Sequence, residues 1–281
     1  MLAASLAISG SFSIGDRVAD ALDPIAVTFA RFSIALLVFG AILAAKRQLR
    51  LPSSSGWLRY LAIGLSPAIF FTVMFEALQL TDAVNTSAIF TLMPVLTGII
   101  AWVLLRQAFS LWQWLVLLVA ALATVWVVFG GSLEAIAGFS IGRGEILFFA
   151  GVAVYAFYSP VIRLVHRGES MTVLTFWVLV TGLACIVAWG GGRIAATDWL
   201  ALPPRVWVGL LYLGTFTTAI SFFLIQYASL HLPSAKVMAY TYLIPAFVIV
   251  ENALFGLGWP NLSVIAGIAV IALAMVALQR S

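Results

Sequence analysis

The chain has 281 residues, of which 64% are hydrophobic and only 9% are charged. A soluble globule of this size would need more polar side chains to cover its surface, so the composition excludes a soluble protein and indicates a lipid bilayer as its partner. The formal net charge is +4. The basic residues are scattered and form no stripe, so we expect no nucleic-acid partner.

Breaks rich in Gly, Pro and charged residues divide the chain into about ten apolar segments, each near the length that a membrane-spanning helix requires. Long runs without alternation, such as Trp114 to Phe129, favour helices over the strands of a β-barrel. The predicted fold class is an all-α integral membrane protein with ten transmembrane helices. The predicted spans are 2–19, 24–45, 57–80, 83–105, 110–130, 144–165, 171–191, 204–230, 233–255 and 261–279.

The loop charges predict the orientation of these helices. The odd-numbered connections contain only Arg17, Arg143, Arg193 and Arg205. More basic residues flank the even-numbered connections and the end of the chain: Lys46, Arg47, Arg50, Arg59, Arg106, Arg163, Arg167, Lys236 and Arg280. Because basic loops stay on the cytoplasmic side, both termini are predicted to be cytoplasmic.

Two stretches match without a gap at a spacing of 151 residues, 71–125 and 222–276. The match aligns Phe71 with Phe222 and Pro94 with Pro245. It indicates an internal duplication, with a first five-helix repeat at 1–131 and a second at 142–281. Five spans per repeat is an odd number, so the second repeat enters the membrane from the opposite side. The sequence therefore predicts two inverted five-helix repeats, an arrangement typical of secondary transporters.

The segment Ala83 to Leu105, AVNTSAIFTLMPVLTGIIAWVLL, resembles the fourth helix of the EamA branch of the drug/metabolite transporter superfamily. Asp23 to Phe39, with its Pro24 and Arg31, is similar to that family's second helix. The family's first helix often opens with Trp-Gly and its fourth often ends with Gly-Glu. This chain has Ser9-Gly10 and Arg106-Gln107 there. The resemblance implies the fold and a transport role, with YddG-type aromatic amino-acid exporters as the nearest functional comparison.

The family architecture implies a substrate site near the bilayer midplane, surrounded by the first, third, fourth, sixth, eighth and ninth helices. Candidate side chains on these helices are aromatic, with a few amides and hydroxyls, and would suit an apolar or aromatic molecule with one polar end. The alternative is that they only pack against other helices or lipid. The candidates are Ser9, Phe12, Phe71, Phe75, Asn85, Ile89, Tyr155, Tyr158, Phe222, Gln226 and Tyr240.

Three ionisable residues, Arg31, Glu76 and Glu251, fall inside apolar runs, where an unpaired charge costs roughly 3 kcal/mol on insertion scales. One hypothesis is that one or both of these carboxylates pair with Arg31 or take up a proton during transport. The alternative is that the carboxylates form structural ion pairs at the outer interface. Pro94 and Pro245 are predicted hinges, because both copies of the repeat have them.

No enzyme motif is present. The chain has two His and a single Cys, Cys185, so we expect no metal site, no cofactor and no enzymatic activity. The predicted function is a secondary transporter that exports small metabolites, preferably aromatic or apolar amino acids, by alternating access. A multidrug or nucleotide-sugar transporter of the same fold is the alternative, followed by a channel-like pore or an intramembrane enzyme. The expected location is a bacterial inner membrane, and the short connections favour a monomer while leaving an oligomer open.

Overall fold

A computed structural model describes residues 1–19, 22–49, 51–81, 83–254 and 259–280. Within these ranges the side chains at 11–13, 15–17, 19, 54, 55, 83, 84 and 252 are not described. The described residues form helices and connecting turns, with no strand among them. This agrees with the all-α prediction.

Helices cover all ten predicted spans. The uninterrupted ones are α1 (Leu2–Ala19), α2 (Pro24–Ala45), α3 (Ser54–Leu78), α5 (Leu111–Val128), α7 (Met171–Ala195) and α10 (Leu262–Arg280). The segmented ones are α4 (Ala83–Phe90 and Met93–Leu105), α6 (Arg143–Tyr155 and Tyr158–Val165), α8 (Pro204–Tyr212, Leu213–Ile220 and Ser221–His231) and α9 (Ser234–Ala239, Tyr240–Leu243 and Ile244–Leu254). A short helix, Leu133–Ala137, lies between α5 and α6.

Nine of these helices are long and apolar enough to cross a membrane, counting only the part of the chain that the structure describes. They are α2 to α10. The first helix is less apolar, because its 18 residues include Asp16 and Arg17 as well as several serines. The count of ten spans, and the side of the membrane on which the termini lie, therefore stay predictions.

The segmented helices α4, α6 and α9 break at short irregular stretches near prolines, whereas α8 is interrupted by the π-helical segment Leu213–Ile220. A turn at Thr91 and Leu92 precedes Pro94 in α4, and a 3₁₀ turn at Tyr240–Leu243 precedes Pro245 in α9. The two breaks occupy equivalent positions of the repeat. A proline cannot donate the backbone hydrogen bond of a regular helix, which explains why the interruptions occur at these points. Pro67 lies inside α3 without an interruption.

The two halves of the chain interlock. Equivalent helices pack against each other in the pairs α2 with α7, α4 with α9 and α5 with α10. Other large contacts also occur in equivalent pairs. The contact of α1 with α8 is equivalent to that of α6 with α3. The contact of α2 with α8 is equivalent to that of α7 with α3. Such reciprocal contacts are those of two repeats related by an approximate two-fold axis.

The direction of α2 relative to α7 follows from their contacts. Residues that come later in α2 face residues that come earlier in α7. The facing pairs are Ile25 with Gly190, Phe32 with Gly182 and Gly40 with Phe176. These equivalent helices are thus antiparallel, as inverted repeats require.

Glycine allows the closest of these helix contacts. A Cβ atom built on Gly64 of α3 would lie 2.6 Å from the carbonyl oxygen of Val178 in α7. A Cβ atom on Gly192, also in α7, would meet no atom within 4 Å. Gly64 is therefore a position of close helix approach, which is the usual role of small residues between membrane helices.

We expect Gly64→Ala to lower the free energy of unfolding by about 1 to 3 kcal/mol, because the backbone of α7 must shift to admit the methyl group. The matched control, Gly192→Ala, should leave stability unchanged or slightly higher, since alanine favours a helix over glycine. Thermal unfolding of the purified variants in detergent measures both. Equal stability of the two variants would contradict the close approach of α3 to α7.

Candidate functional site

A cavity lies among α1, α2, α3, α4, α6, α8 and α9, which include all six helices that the family architecture implies. The volume of the cavity that water-sized molecules can occupy is about 40 Å³. Its lining is composed of Ile8, Arg31, Phe70, Phe71, Met74, Phe90, Phe148, Tyr155, Thr217, Ser221, Ile225, Met238 and Thr241.

The cavity lies where equivalent positions of the two repeats meet. Three pairs in the lining are separated by the repeat spacing of 151 residues: Phe70 with Ser221, Met74 with Ile225 and Phe90 with Thr241. In a further equivalent pair, Phe71 of the lining stacks on Phe222 behind it, with ring centroids 5.9 Å apart. A residue can contact its own repeat equivalent only near the axis that relates the two repeats. The cavity is consequently close to that axis.

One wall of the cavity is aromatic. The ring of Tyr155 lies parallel to that of Phe70, with centroids 4.5 Å apart. Phe70 also contacts Phe90 at 5.8 Å and Phe148 at 6.1 Å. These rings come from α3, α4 and α6, and their mutual contacts hold a flat apolar surface in place.

The opposite wall carries hydroxyl groups. Ser221 and Thr241 occupy the positions equivalent to Phe70 and Phe90, and Thr217 lies one helical turn before Ser221. All three side chains are buried. At these equivalent positions the repeats differ in chemistry, with phenylalanine rings in the first and small hydrogen-bonding groups in the second.

Arg31 of α2 lies beside this polar wall, and only 1% of its surface is exposed. Its Nε donates a hydrogen bond to Thr218 Oγ1 at 2.8 Å, and its Nη2 donates one to Thr217 Oγ1 at 2.9 Å. Its guanidinium carbon also lies 4.0 Å from the centre of the Phe71 ring. Neutral acceptors and an aromatic face therefore stabilise the buried cation.

The acceptors of Arg31 are oriented by an irregular turn of α8. Thr217 and Thr218 belong to the π-helical segment Leu213–Ile220. Both hydroxyls donate to the carbonyl oxygen of Leu213, at 2.7 and 2.8 Å. A hydroxyl has one proton to give, so these bonds leave its lone pairs for Arg31. A π turn inside a helix frequently marks a functional site.

Comparisons with known proteins agree with this architecture. The pattern of the EamA-like transporter family matches residues 1–129 and 142–279. This chain belongs to the EamA-like transporter family. The resemblance expected from the sequence is thereby confirmed, whereas the YddG-type comparison stays a prediction.

Two relatives of this EamA transporter carry the name of an uncharacterised transporter. One is YyaM of Bacillus subtilis, which is 23% identical over 92% of this chain and 85% of its own length. The other comes from the archaeon Archaeoglobus fulgidus and is 26% identical over 80% of this chain and 77% of its own length. A protein of known crystal structure has the same fold, with a TM-score of 0.77, 17% identity and coverage of 98% of this chain and 94% of the other.

Several candidate residues lie at the cavity of the transporter or directly behind it. Phe71 and Tyr155 belong to the lining, together with Arg31. Phe222 contacts Phe71 from behind, and the ring of Tyr158 stacks on Tyr155 at 5.3 Å. These five residues form one continuous group.

Gln226 belongs to a buried hydrogen-bond network instead of the lining. Its amide donates to the hydroxyl of Tyr158 at 2.9 Å and accepts from Thr175 at 2.6 Å. The three residues come from α6, α7 and α8. Their bonds therefore join three helices of the second repeat, and they satisfy polar groups that would otherwise be unpaired in an apolar interior.

The remaining candidates are not part of the described lining. Asn85 donates to Glu145 at 3.0 Å at the start of α6, and Ser9 donates to Glu251 at 2.6 Å. The others are Phe75 and Ile89, which are buried in apolar clusters, Tyr240, whose carbonyl oxygen accepts from Ser5, and Phe12, whose side chain lies outside the described residues.

Arg31 pairs with no carboxylate in the described part of the chain, and proton uptake by Glu76 or Glu251 stays a prediction. Glu76 pairs with Arg193 at 2.8 Å, and Arg193 also pairs with Asp23 at 2.7 Å, in a partly exposed group. Glu251 accepts its hydrogen bond from Ser9. Threonine oxygens took the place of a carboxylate because neutral acceptors, when well oriented, can also hold a buried guanidinium.

The sequence reasoning missed most of the lining, including Phe70, Phe90, Thr217, Ser221 and Thr241. The repeat spacing could have found the equivalent pairs, since any two residues that meet at a two-fold axis share that spacing. Phe148 and the π turn have no comparable signal. No group of His, Cys, Asp and Glu suited to a metal ion occurs among the residues described.

Proposed function

We propose that this transporter exports small metabolites, with aromatic or apolar amino acids as its cargo, by alternating access at the central cavity. The observation that supports this most strongly is the position of the cavity, which is lined by equivalent residues of two repeats whose helices α2 and α7 are antiparallel. Inverted repeats can exchange their conformations. A site on the axis between them then opens first to one side of the membrane and afterwards to the other.

The chemistry of the lining supports this kind of cargo. The wall made by Phe70, Phe90 and Tyr155 suits a flat or branched apolar side chain. The hydroxyls of Ser221 and Thr241 suit a polar end. This division between an apolar and a polar wall favours an amino acid over a sugar nucleotide, which would need polar contacts along its whole length.

The cavity volume supports a conformational change during transport. About 40 Å³ holds a few water molecules, whereas sites for small organic ligands usually enclose roughly 300 to 1,000 Å³. Admission of an amino acid therefore requires the surrounding helices to separate. Pro94 and Pro245 follow breaks in α4 and α9 that would serve as the hinges. We further propose a bacterial inner membrane as the location and a monomer as the working unit.

Counterflow in proteoliposomes tests the proposed function. Vesicles loaded with unlabelled L-phenylalanine should transiently accumulate labelled L-phenylalanine above its external concentration, because both pass through one alternately exposed site. A pore would only equilibrate the label. A panel with L-leucine, a nucleotide sugar and a cationic dye should give counterflow for leucine alone. Counterflow with only the dye or the sugar would contradict the cargo, and its absence with every compound would contradict a carrier.

The aromatic wall can be tested with two phenylalanines of α3. Phe70→Ala removes a ring of the lining, and we expect it to raise the half-saturation concentration for L-phenylalanine roughly three- to tenfold. Phe75 is also buried, but it belongs to another apolar cluster and is not part of the cavity lining. Phe75→Ala is thus the matched control, which should lower stability without a comparable change in half-saturation. Equal changes in half-saturation for the two variants would contradict the assignment of the wall.

A further inference from the structure

Arg31 has more hydrogen-bond capacity than the protein uses. A guanidinium carries five N–H donors. The bonds to Thr217 and Thr218 engage Nε and Nη2, and the Nη1 group makes no hydrogen bond to any residue in the described ranges. The side chain lines the cavity and is nearly fully buried. A buried cation with unused donors beside a cavity is suited to bind an anion.

The charge of Arg31 is also not neutralised by the surrounding protein. The ion pairs found among the described residues do not include it, and its polar partners are neutral threonines. An uncompensated charge in the membrane interior is costly, and residues of this kind often mark a substrate pathway or counter-ion. A cargo that brought its own negative charge would supply the missing pair.

The described lining offers no comparable binding group for a cationic molecule. It contains no aspartate or glutamate. Glu76 pairs with Arg193, and Glu145 accepts hydrogen bonds from Thr81 and Asn85. Glu251 accepts one from Ser9. An ammonium group in the cavity would find only hydroxyls, carbonyls and aromatic faces. Because the charged group of the lining is the Arg31 cation, the site favours the carboxylate of a ligand over its ammonium group.

We propose that Arg31 binds the carboxylate of the cargo, and that the cargo class is an aromatic or apolar carboxylate whose amino group is dispensable. This inference rests on the proposed function for the use of the cavity as a transport site. The carboxylate accepts its hydrogen bonds from Nη1 of Arg31, because the hydroxyl protons of Ser221 and Thr241 are already bound to the carbonyl oxygens of Thr217 and Met238. The apolar body lies against the rings of Phe70 and Phe90.

The inference is tested with three compounds that share one ring: L-phenylalanine, 3-phenylpropionate, which lacks the amine, and phenethylamine, which lacks the carboxylate. Each competes with labelled L-phenylalanine in counterflow, and each is also added to the purified protein in thermal unfolding. We expect 3-phenylpropionate to compete about as well as L-phenylalanine and to stabilise the protein. Phenethylamine should compete roughly tenfold to a hundredfold less well, the loss expected for a charge-assisted contact.

Variants of two arginines identify the residue responsible. Arg31→Gln should reduce the preference for acid over amine to about twofold or less, and Arg31→Lys should retain a weaker preference, because lysine keeps the charge without the planar donors. The matched control is Arg193→Gln, which removes an arginine that already has Glu76 and Asp23 as partners. It should retain the full preference.

Two results would overturn the inference: equal competition by acid and amine in the wild-type protein, or an undiminished preference in Arg31→Gln. If the glutamine variant does not fold, the wild-type panel and Arg31→Lys decide the question. An absence of counterflow with L-phenylalanine would refute the proposed amino-acid cargo instead. The unfolding measurements with acid and amine would then still decide the role of Arg31.

Discussion

A guanidinium buried in an apolar helical bundle must receive acceptors from the helices around it, and this requirement organises the centre of the transporter. Arg31 of α2 obtains them from α8 of the other repeat, through Thr217 and Thr218. The π turn supplies both threonines, whose hydroxyl protons are bound to Leu213. The same contact joins the two halves of the chain. The polarity of the cavity therefore depends on one side chain, which also adds to the packing between the repeats.

The two-fold arrangement gives the cavity its position, and the divergence of the repeats gives it its chemistry. Equivalent positions meet at the axis, as the stacking of Phe71 on Phe222 illustrates. Identical repeats would place the same groups on both walls. Here phenylalanines face a serine and a threonine, so a bound molecule would have a defined orientation, with its apolar body toward α3 and α4 and its polar end toward α8 and α9.

Much of the architecture was predictable from the sequence, because composition, helix length and repeat spacing reflect constraints that act along the chain. The spacing of 151 residues also placed Phe71 and Phe222 together. Individual polar contacts were less predictable. Asn85 was expected at the substrate site, but Glu145 is a nearby acceptor from another helix, and an amide in an apolar region bonds to the partner that packing brings close.

The acceptors of Arg31 were not predictable for a related reason. Glu76 and Glu251 are the opposite charges that the sequence offers, whereas the structure uses hydroxyl groups that α8 presents through its π turn. That turn depends on tertiary packing, including the approach of Gly214 to Ile34 and to the backbone of Arg31. No local sequence pattern indicates it.

Alternate exposure of the cavity is the central claim, and thiol labelling tests it directly. Cys185 is the only cysteine of the chain, so Cys185→Ser provides a background for a single reporter at Ser221→Cys in the lining. A membrane-impermeant thiol reagent should label the reporter in right-side-out vesicles and also in inside-out vesicles, and L-phenylalanine should slow labelling from both sides. Labelling from only one side, or from neither, would contradict alternating access at this cavity.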